Sequence, residues 1–391
     1  MEMHSIIHLI NAILRHYGLP THHSPFPLSD FVPSLHQKKK IVLILWDAVG
    51  EQNLLEACKA NPDIEKLIEP FLHLTLKSVF PTTTTAALTS LCTGLSPIEH
   101  GMLGYILFLK RFNSLVNMID FCPPGLERDI LIGNGLNPLK FIPCDTIFQK
   151  LHQAGIKPWI ITSNQFKDSG LSRMHHHGSA FRGYSDMMEM NTSLRELLGK
   201  EKSDSFFMAY WGLSDTYAHR YGPSSNEYQS NIYWLLSMFF REVIDQLSEK
   251  TLRETLFFIT ADHGQLETSY RDEHWFGVHD PLSKILSVPP AGEPRALYLY
   301  PKELHSFRAS FESMYGKFFE LYDSADLIRE GIFGPSIHIP EEHVDRVGSF
   351  TAIAKEAYSL NYKYTGNERT LKGKHGALSR WEMEVPLLIL S

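Results

Sequence analysis

Several acids and histidines directly follow apolar stretches of the chain. "LILWDAVG" places Asp47 after one such stretch, and "WGLSDTYAHRYGP" places Asp215 after another, with His219 four residues on. "FFITADHGQ" adds Asp262 and His263, and "LKGKHGALS" puts His375 in a glycine-flanked loop before the last apolar run. Singly, each has an ordinary structural reading: a turn residue, an i,i+4 surface pair, a strand exit, a buried imidazole satisfied by a carbonyl. Together they read differently. Three carboxylates gathered at one place repel one another unless a cation lies between them. Six oxygen and nitrogen donors without a thiolate suit two divalent ions, with Zn2+ first and Mn2+ as the alternative.

A second feature is "SVFPTTTTAALTSLCTGLSPIEHG", from Ser78 to Gly101, where four threonines open a small-residue helix. One hydroxyl suffices to cap a helix. A threonine beside a divalent ion has a lowered pKa and becomes a nucleophile. A helix N-terminus also aims N–H groups and its positive end at an anion, so the hydroxyls mark an anion site.

These residues must be carried by elements that bring them together. Ile41–Leu45 is continuously apolar, as a central strand buried on both faces requires. Further strands are expected at Leu72–Phe80, Trp159–Ser163, Ser205–Trp211, Leu256–Thr260, Ala296–Tyr300 and Pro386–Leu390. Helical patterns fall at Thr85–Cys92, Thr146–Ala154, Asn226–Leu247 and Phe307–Leu321. This alternation predicts an α/β fold with a doubly wound, mostly parallel sheet, whose site lies at the carboxyl ends of the strands. The expected organisation is a helix and proline-rich linker over 1–40, a catalytic core over 41–269 and 349–391, and a smaller inserted cap over 270–348. Within 1–40, Ile6, Leu9, Ile10 and Ile13 have the spacing of a docking helix.

Composition narrows the function classes. Hydrophobic residues are 43% and charged residues 21%, which is globular rather than disordered. The net charge of −7 argues against a stable nucleic-acid complex. No apolar run approaches the ~18–20 residues of a membrane span. Four cysteines without a CxxC pair do not make a disulfide framework, and the expected location is cytoplasmic.

The set "ILWDAVG", "FPTTTTAALTSLCTGLSPIEHG", "SDTYAHRYGP", "TADHG" and "KHGALSRWEMEVPLLIL" resembles the alkaline phosphatase superfamily, and within it the type I phosphodiesterase/nucleotide pyrophosphatase branch. The resemblance runs from Ile41 to Ser391 and implies an alkaline phosphatase-like core. It implies one metal held by Asp47, Asp262, His263 and the nucleophile oxygen, and another held by Asp215, His219 and His375. It implies Thr84 as the nucleophile, with Thr83 the alternative register. The expected activity is two-metal hydrolysis of phosphodiesters through a phospho-threonine, on a small phosphate ester or nucleotide. No arginine follows Thr84 closely enough to clamp a dianionic monoester, which favours diesters. The alternatives are a phosphomonoesterase or phosphonate hydrolase, a phosphotransferase or mutase on the same scaffold, and a non-catalytic binding protein.

Other residues carry weaker signals. His175, His176 and His177 are read as a surface loop, with a substrate-side role as the alternative. His279 falls in the cap. Lys372 and Lys374 flank His375 as phosphate contacts or solvated charges. His100 reads as structural, and Trp211 and Tyr217 as base-stacking or core aromatics.

Overall fold

The computed structural model describes residues 4–336 and 339–391. Its centre is a seven-stranded sheet: β1 (Lys40–Trp46), β2 (Leu72–Lys77), β3 (Lys157–Ser163), β4 (Ala180–Tyr184), β5 (Ser205–Trp211), β6 (Thr255–Thr260) and β7 (Glu384–Leu390). In space the order is β2-β7-β6-β1-β5-β3-β4. Strand β1 pairs in parallel with β5 on one side and β6 on the other, and β3 with β4 and β5. Only β7 runs antiparallel to its neighbours, β6 and β2. Every residue of β1 and β6 is buried, as the apolar runs Ile41–Trp46 and Leu256–Ile259 require of strands covered on both faces. The doubly wound α/β architecture expected from the alternation is therefore present.

Three expected elements end differently, the first being the helix predicted over Asn226–Leu247, which stops at Glu242 before a separate short turn at Ile244–Gln246. The strand predicted over Leu72–Phe80 stops at Lys77, where the chain leaves β7 and reaches Pro81, which has no N–H to donate to a ladder. The helix predicted over Phe307–Leu321 is a helix, Leu304–Tyr315, followed by a strand, Phe319–Asp323. Past Gly316 the burial alternates from buried Phe319 to exposed Glu320 to buried Leu321, a two-residue period that a helical reading runs over.

A second, six-stranded antiparallel sheet packs beside the first. It is formed by Phe319–Asp323, Phe350–Ala354, Ala296–Leu299, Ala291–Glu293, Ile106–Leu109 and Ser114–Asn117, in that spatial order. It thus draws a hairpin from just after the threonine run and a strand from beyond residue 348, as well as strands from within 270–348.

The first helix, α1 (Ile6–His16), is seated in the core. Ile6, Leu9, Ile10 and Ile13 are fully buried, and Asn11 Nδ2 donates to the Gly94 carbonyl at 2.9 Å. That carbonyl closes α2 (Thr84–Thr93), so α1 braces the helix that opens with the threonines. All four cysteines are free, and among the described residues no helix is long and apolar enough to cross a membrane.

Candidate active site

The acids arrive on the three central parallel strands. Asp47 directly follows β1, and Asp262 and His263 follow β6. Asp215 and His219 lie one turn apart on α3 (Leu213–Tyr221), which follows β5. Because β1 lies between β5 and β6, the carboxyl ends of these strands meet at one spot, the switch-point position of open α/β sheets. His375 comes in on the loop before β7, and Thr84 on the first turn of α2, with Thr83 as its N-cap residue.

Two glycines permit this convergence. A Cβ on Gly264 would sit 2.1 Å from the Trp381 carbonyl and 2.9 Å from Gly50 Cα. The loop carrying Asp262 and His263 therefore touches the loop after Asp47 backbone to backbone. Gly264→Ala is expected to push the two loops apart and destabilise the fold by about 3 kcal/mol or more. Thermal unfolding and metal content by elemental analysis would read this, and a variant with unchanged melting and metal load would refute the close-packing argument.

Thr84 Oγ1 lies 3.2 Å from His263 Nε2, which lies 3.5 Å from Asp262 Oδ2 and 3.7 Å from Asp47 Oδ1. On the other side, Asp215 Oδ1 is 3.2 Å from His219 Nε2 and 3.7 Å from His375 Nε2. Two groups result whose donor atoms all lie within 4.8 Å of one another: Asp47, Asp262 and His263, and Asp215, His263 and His375. The structure thus brings together all seven residues singled out in the sequence. His263 stands between the two groups, while His219 joins through Asp215.

The surroundings aim these donors inward. His219 Nδ1 faces the Gly373 carbonyl at 2.7 Å, His375 Nδ1 the Thr82 carbonyl at 2.8 Å, and His263 Nδ1 the Gly264 carbonyl at 3.1 Å. Each ring N–H thereby donates to backbone and leaves the Nε2 lone pair for the site, as in metal-ligating histidines. Asp47 Oδ2 accepts from the Tyr210 hydroxyl, and Asp262 Oδ1 accepts from the N–H groups of Ala48 at 3.1 Å and His263 at 2.9 Å. Their other oxygens, Asp47 Oδ1 and Asp262 Oδ2, are buried without a hydrogen-bond partner among the described residues. Buried carboxylate oxygens are costly to leave unpaired, so these two orphans, facing neutral imidazole nitrogens, fit a divalent ion.

The electrostatics agree. Burial, followed by the charges of Asp262 and Asp215, pushes Asp47 well above the usual carboxylate range. Burial pushes Asp262 up to about 7. Burial also raises Asp215, but His219, His375 and His263 outweigh it and hold its pKa below the ordinary value. Desolvation lowers His263 to about 4 and His375 well below its ordinary value, which keeps both imidazoles neutral and able to ligate.

Thr84 lies where two cavities meet. One, of about 250 Å3, is lined by Leu88, Ile119, Phe166 and Leu171 beside Asp47, together with Arg128, Ser169 and Ser172. The other, of about 290 Å3, includes His219, His375, Glu293, Pro294 and Leu371.

Several weaker sequence readings change. His175 is not in a surface loop. It is buried behind α2, where its Nε2 donates to Thr89 Oγ1 at 2.8 Å, and it lines the cavity beside Asp47 with half-buried His176; only His177 is exposed. The apolar positions of the Gly170–His175 helix turn this imidazole inward. Lys374 is not a solvated charge: it is buried, lines the cavity with His219 and His375, and its Nζ is bound to Glu273, Ser359 Oγ and Asn361 Oδ1. Lys372 and His279 are exposed. His100 is structural, bonded to Ser90 Oγ at 3.0 Å, and buried Trp211 stacks on Tyr184.

Sequence reasoning missed Glu293 and Tyr105. Glu293 is buried, accepts from the Tyr105 N–H at 2.7 Å and from Thr83, and is pushed up to about 8 by burial. Nothing in "AGEPRA" separates this acid from a turn residue. Only its strand, Ala291–Glu293, carries it to the site.

This geometry can be set beside known proteins. The sequence matches the type I phosphodiesterase / nucleotide pyrophosphatase family over residues 41–378. The chain belongs to that family. It is accordingly a hydrolase of phosphate esters, and the family's dependence on divalent metal agrees with the donor clusters. No curated protein shows significant sequence similarity. Among solved structures, murine ectonucleotide pyrophosphatase/phosphodiesterase 5 superposes with a TM-score of 0.66 at 18% identity, covering 89% of this chain and 87% of that one. The human form gives 0.65 at 17%, with the same coverage. Phosphonoacetate hydrolase from Sinorhizobium meliloti, in complex with phosphonoformate, gives 0.63 at 18%, covering 89% of each chain. These superpositions show that the chain shares the fold of those proteins.

Proposed function

We propose that the chain hydrolyses phosphodiesters through a covalent phospho-threonine on Thr84, with two divalent ions, Zn2+ or Mn2+, in the site. The observation that carries this reading is the position of Thr84 at the junction of two cavities, one for each ester arm. A monoester would fill only one. The division of labour follows the chain: 41–269 and 349–391 supply the donors and nucleophile, and 270–348 supplies Glu293 and Pro294 on the substrate side.

Asp47, Asp262, His263 and Thr84 would hold one ion, and Asp215, His219 and His375 the other. When bound, such ions neutralise the carboxylates, favour ionisation of the alcohol and offset charge on the phosphoryl oxygens. Thr84 Oγ1, its proton lost to solvent, attacks phosphorus in line. The bond to the leaving ester oxygen breaks with its electron pair, and that oxygen takes a proton from water. The N-terminus of α2 offers its unpaired N–H groups to the phosphoryl oxygens. A water then attacks phosphorus from the vacated side, the bond to Thr84 Oγ1 breaks, and Thr84 regains a proton. The leaving oxygen and the attacking water share the Asp215–His219–His375 side.

A panel of bis(p-nitrophenyl) phosphate, p-nitrophenyl phosphate, p-nitrophenyl phenylphosphonate and a nucleoside triphosphate tests this on protein reconstituted with Zn2+ or Mn2+. The kcat/KM for the diester should exceed that for the monoester at least about tenfold, equivalent to ~1.4 kcal/mol of transition-state discrimination. A preference for the monoester overturns the diester reading. Nucleotide-bearing substrates belong in the panel because an inactive variant of the murine relative was solved in complex with AMP. The phosphonate belongs there because of the fold shared with phosphonoacetate hydrolase.

A further inference from the structure

The loop that carries His375 is tied to the site on both sides of that residue. The Lys372 N–H donates to the His219 carbonyl at 2.9 Å, and Gly373–Lys374 pairs with Leu266–Glu267. Past His375, the Gly376 N–H donates to Thr82 Oγ1 at 3.0 Å. The Lys374 side chain ends elsewhere, on a two-stranded parallel ribbon of Glu273–Phe276 beside Ser359–Tyr362.

The register sets Glu273 beside Ser359, and Asn361 lies two residues further along the same strand, so Ser359 and Asn361 share a face. Together they give Lys374 Nζ a Glu273 carboxylate oxygen, Ser359 Oγ at 2.9 Å and Asn361 Oδ1 at 3.1 Å. An ammonium has three protons, and this socket has three acceptors. The side chains of Lys374 and Glu273 are each only 3% exposed. Desolvating such a pair is costly, and apolar residues of similar volume would serve stability as well or better. What the pair supplies is one seat for one side chain. Consecutive side chains of an extended chain leave on opposite sides, so seating Lys374 fixes the direction of His375, whose Nε2 lies 3.7 Å from Asp215 Oδ1. A slip of one residue would turn the imidazole to the ribbon. A second buried pair pins the far end of the loop to the same segment. Arg295 Nε and Nη2 donate to Glu382 at 2.7 and 3.0 Å, and the guanidinium also donates to the carbonyls of Glu356 and Tyr358. The Glu382 carboxylate in turn accepts from the Ala377 N–H at 2.8 Å.

We infer that Lys374 is a positioning residue for the ion on the Asp215 side: its socket on the ribbon holds the His375 imidazole where Asp215 and His219 can share a cation with it. This rests on the two-ion reading of the site. It gives Glu273, Ser359 and Asn361 an effect on metal affinity although none of them is a ligand.

The test uses the full chain, stripped of metal and titrated with Zn2+ in competition with a chromogenic chelator. The parent should bind two ions, and the one lost in His219→Ala is the ion on the Asp215 side. Lys374→Met/Glu273→Gln removes both buried charges and leaves an amide to pair with Ser359 and Asn361. It should weaken the Asp215-side ion about tenfold or more, the scale of lost outer contacts to a metal ligand, and leave the other within about threefold. Its metal-free melting temperature should stay close to the parental one. Ser359→Ala removes one acceptor and keeps the ion pair, so it should weaken the same ion about threefold or more, whether or not the double variant folds. Parental affinity for both ions in a folded variant, or an equal loss at both, would overturn the inference and leave the two-ion reading standing. A parent that binds fewer than two ions would bring down that reading and this inference with it.

Discussion

Thr84→Ala should abolish turnover of bis(p-nitrophenyl) phosphate, lowering kcat by about three orders of magnitude or more, equivalent to at least ~4 kcal/mol of transition-state stabilisation. On the proposed reading Thr84 receives the phosphoryl group, because it is the threonine whose hydroxyl lies against the donor cluster, 3.2 Å from His263 Nε2. Thr83, the alternative register, is committed elsewhere: it is the N-cap residue of α2, and its hydroxyl bonds Glu293. Thr83→Ala should therefore cost far less, within about tenfold, the scale of one lost neutral hydrogen bond. Metal content should hardly change in Thr84→Ala, since the carboxylates and imidazoles remain. If Thr84→Ala retains near-parental turnover while Thr83→Ala loses it, the nucleophile has been misassigned and the helix must present the neighbouring hydroxyl.

Removing the metal should destabilise the protein, and increasingly so as the pH rises from 6.5 to 8. The sign follows from the buried acids. Asp262 has an ordinary value of 3.8 and a folded value of about 7, and Asp47 is raised well above the same ordinary value. Without metal, the folded state therefore holds protons that the unfolded state has released. Stability from these groups is fully present below pH 3.8 and drains away as the pH climbs through the folded values. His263, with an ordinary value of 6.5 lowered to about 4, and His375, also lowered, act in the opposite sense; their unfolded imidazoles are still half protonated at pH 6.5, so each returns about 0.4 kcal/mol as the pH rises to 8. The raised acids outweigh this, and the metal-free fold should lose on the order of 1–2 kcal/mol across the window. In the loaded protein, cations take the place of those protons. Zinc at ~1,000 times its Kd adds about 4 kcal/mol by mass action, and its binding tightens as protons leave. Melting curves with EDTA and with Zn2+ at pH 6.5 and 8 should show a gap that widens with pH. A constant or narrowing gap would mean the carboxylates are not held together by cations.

The apolar runs before Asp47, Asp215 and Asp262 were legible because a strand buried on both faces must be apolar throughout, and its polar residues collect where it ends. Asp47, Asp215, His219, Asp262 and His263 could be singled out for that reason and His375 from its glycine-flanked loop, whereas the choice of Thr84 came from the family resemblance. Elements failed where the signal was ambiguous. Phe307–Leu321 reads as one helix until Gly316 changes the period from helix to strand, and His175 sits in a polar triplet whose inward member depends on how its helix is rotated.

From the one-dimensional chain came the residue types, the strands that end in them, and the family they signal. Tertiary structure alone decided that His263 stands between both donor groups, that Gly50 and Gly264 must touch, and that a carboxyl at residue 293 and a tyrosine at 105 guard one side of Thr84. These depend on contacts between segments more than a hundred residues apart. Such contacts are set by sheet order and side-chain packing, and local pattern carries no record of them.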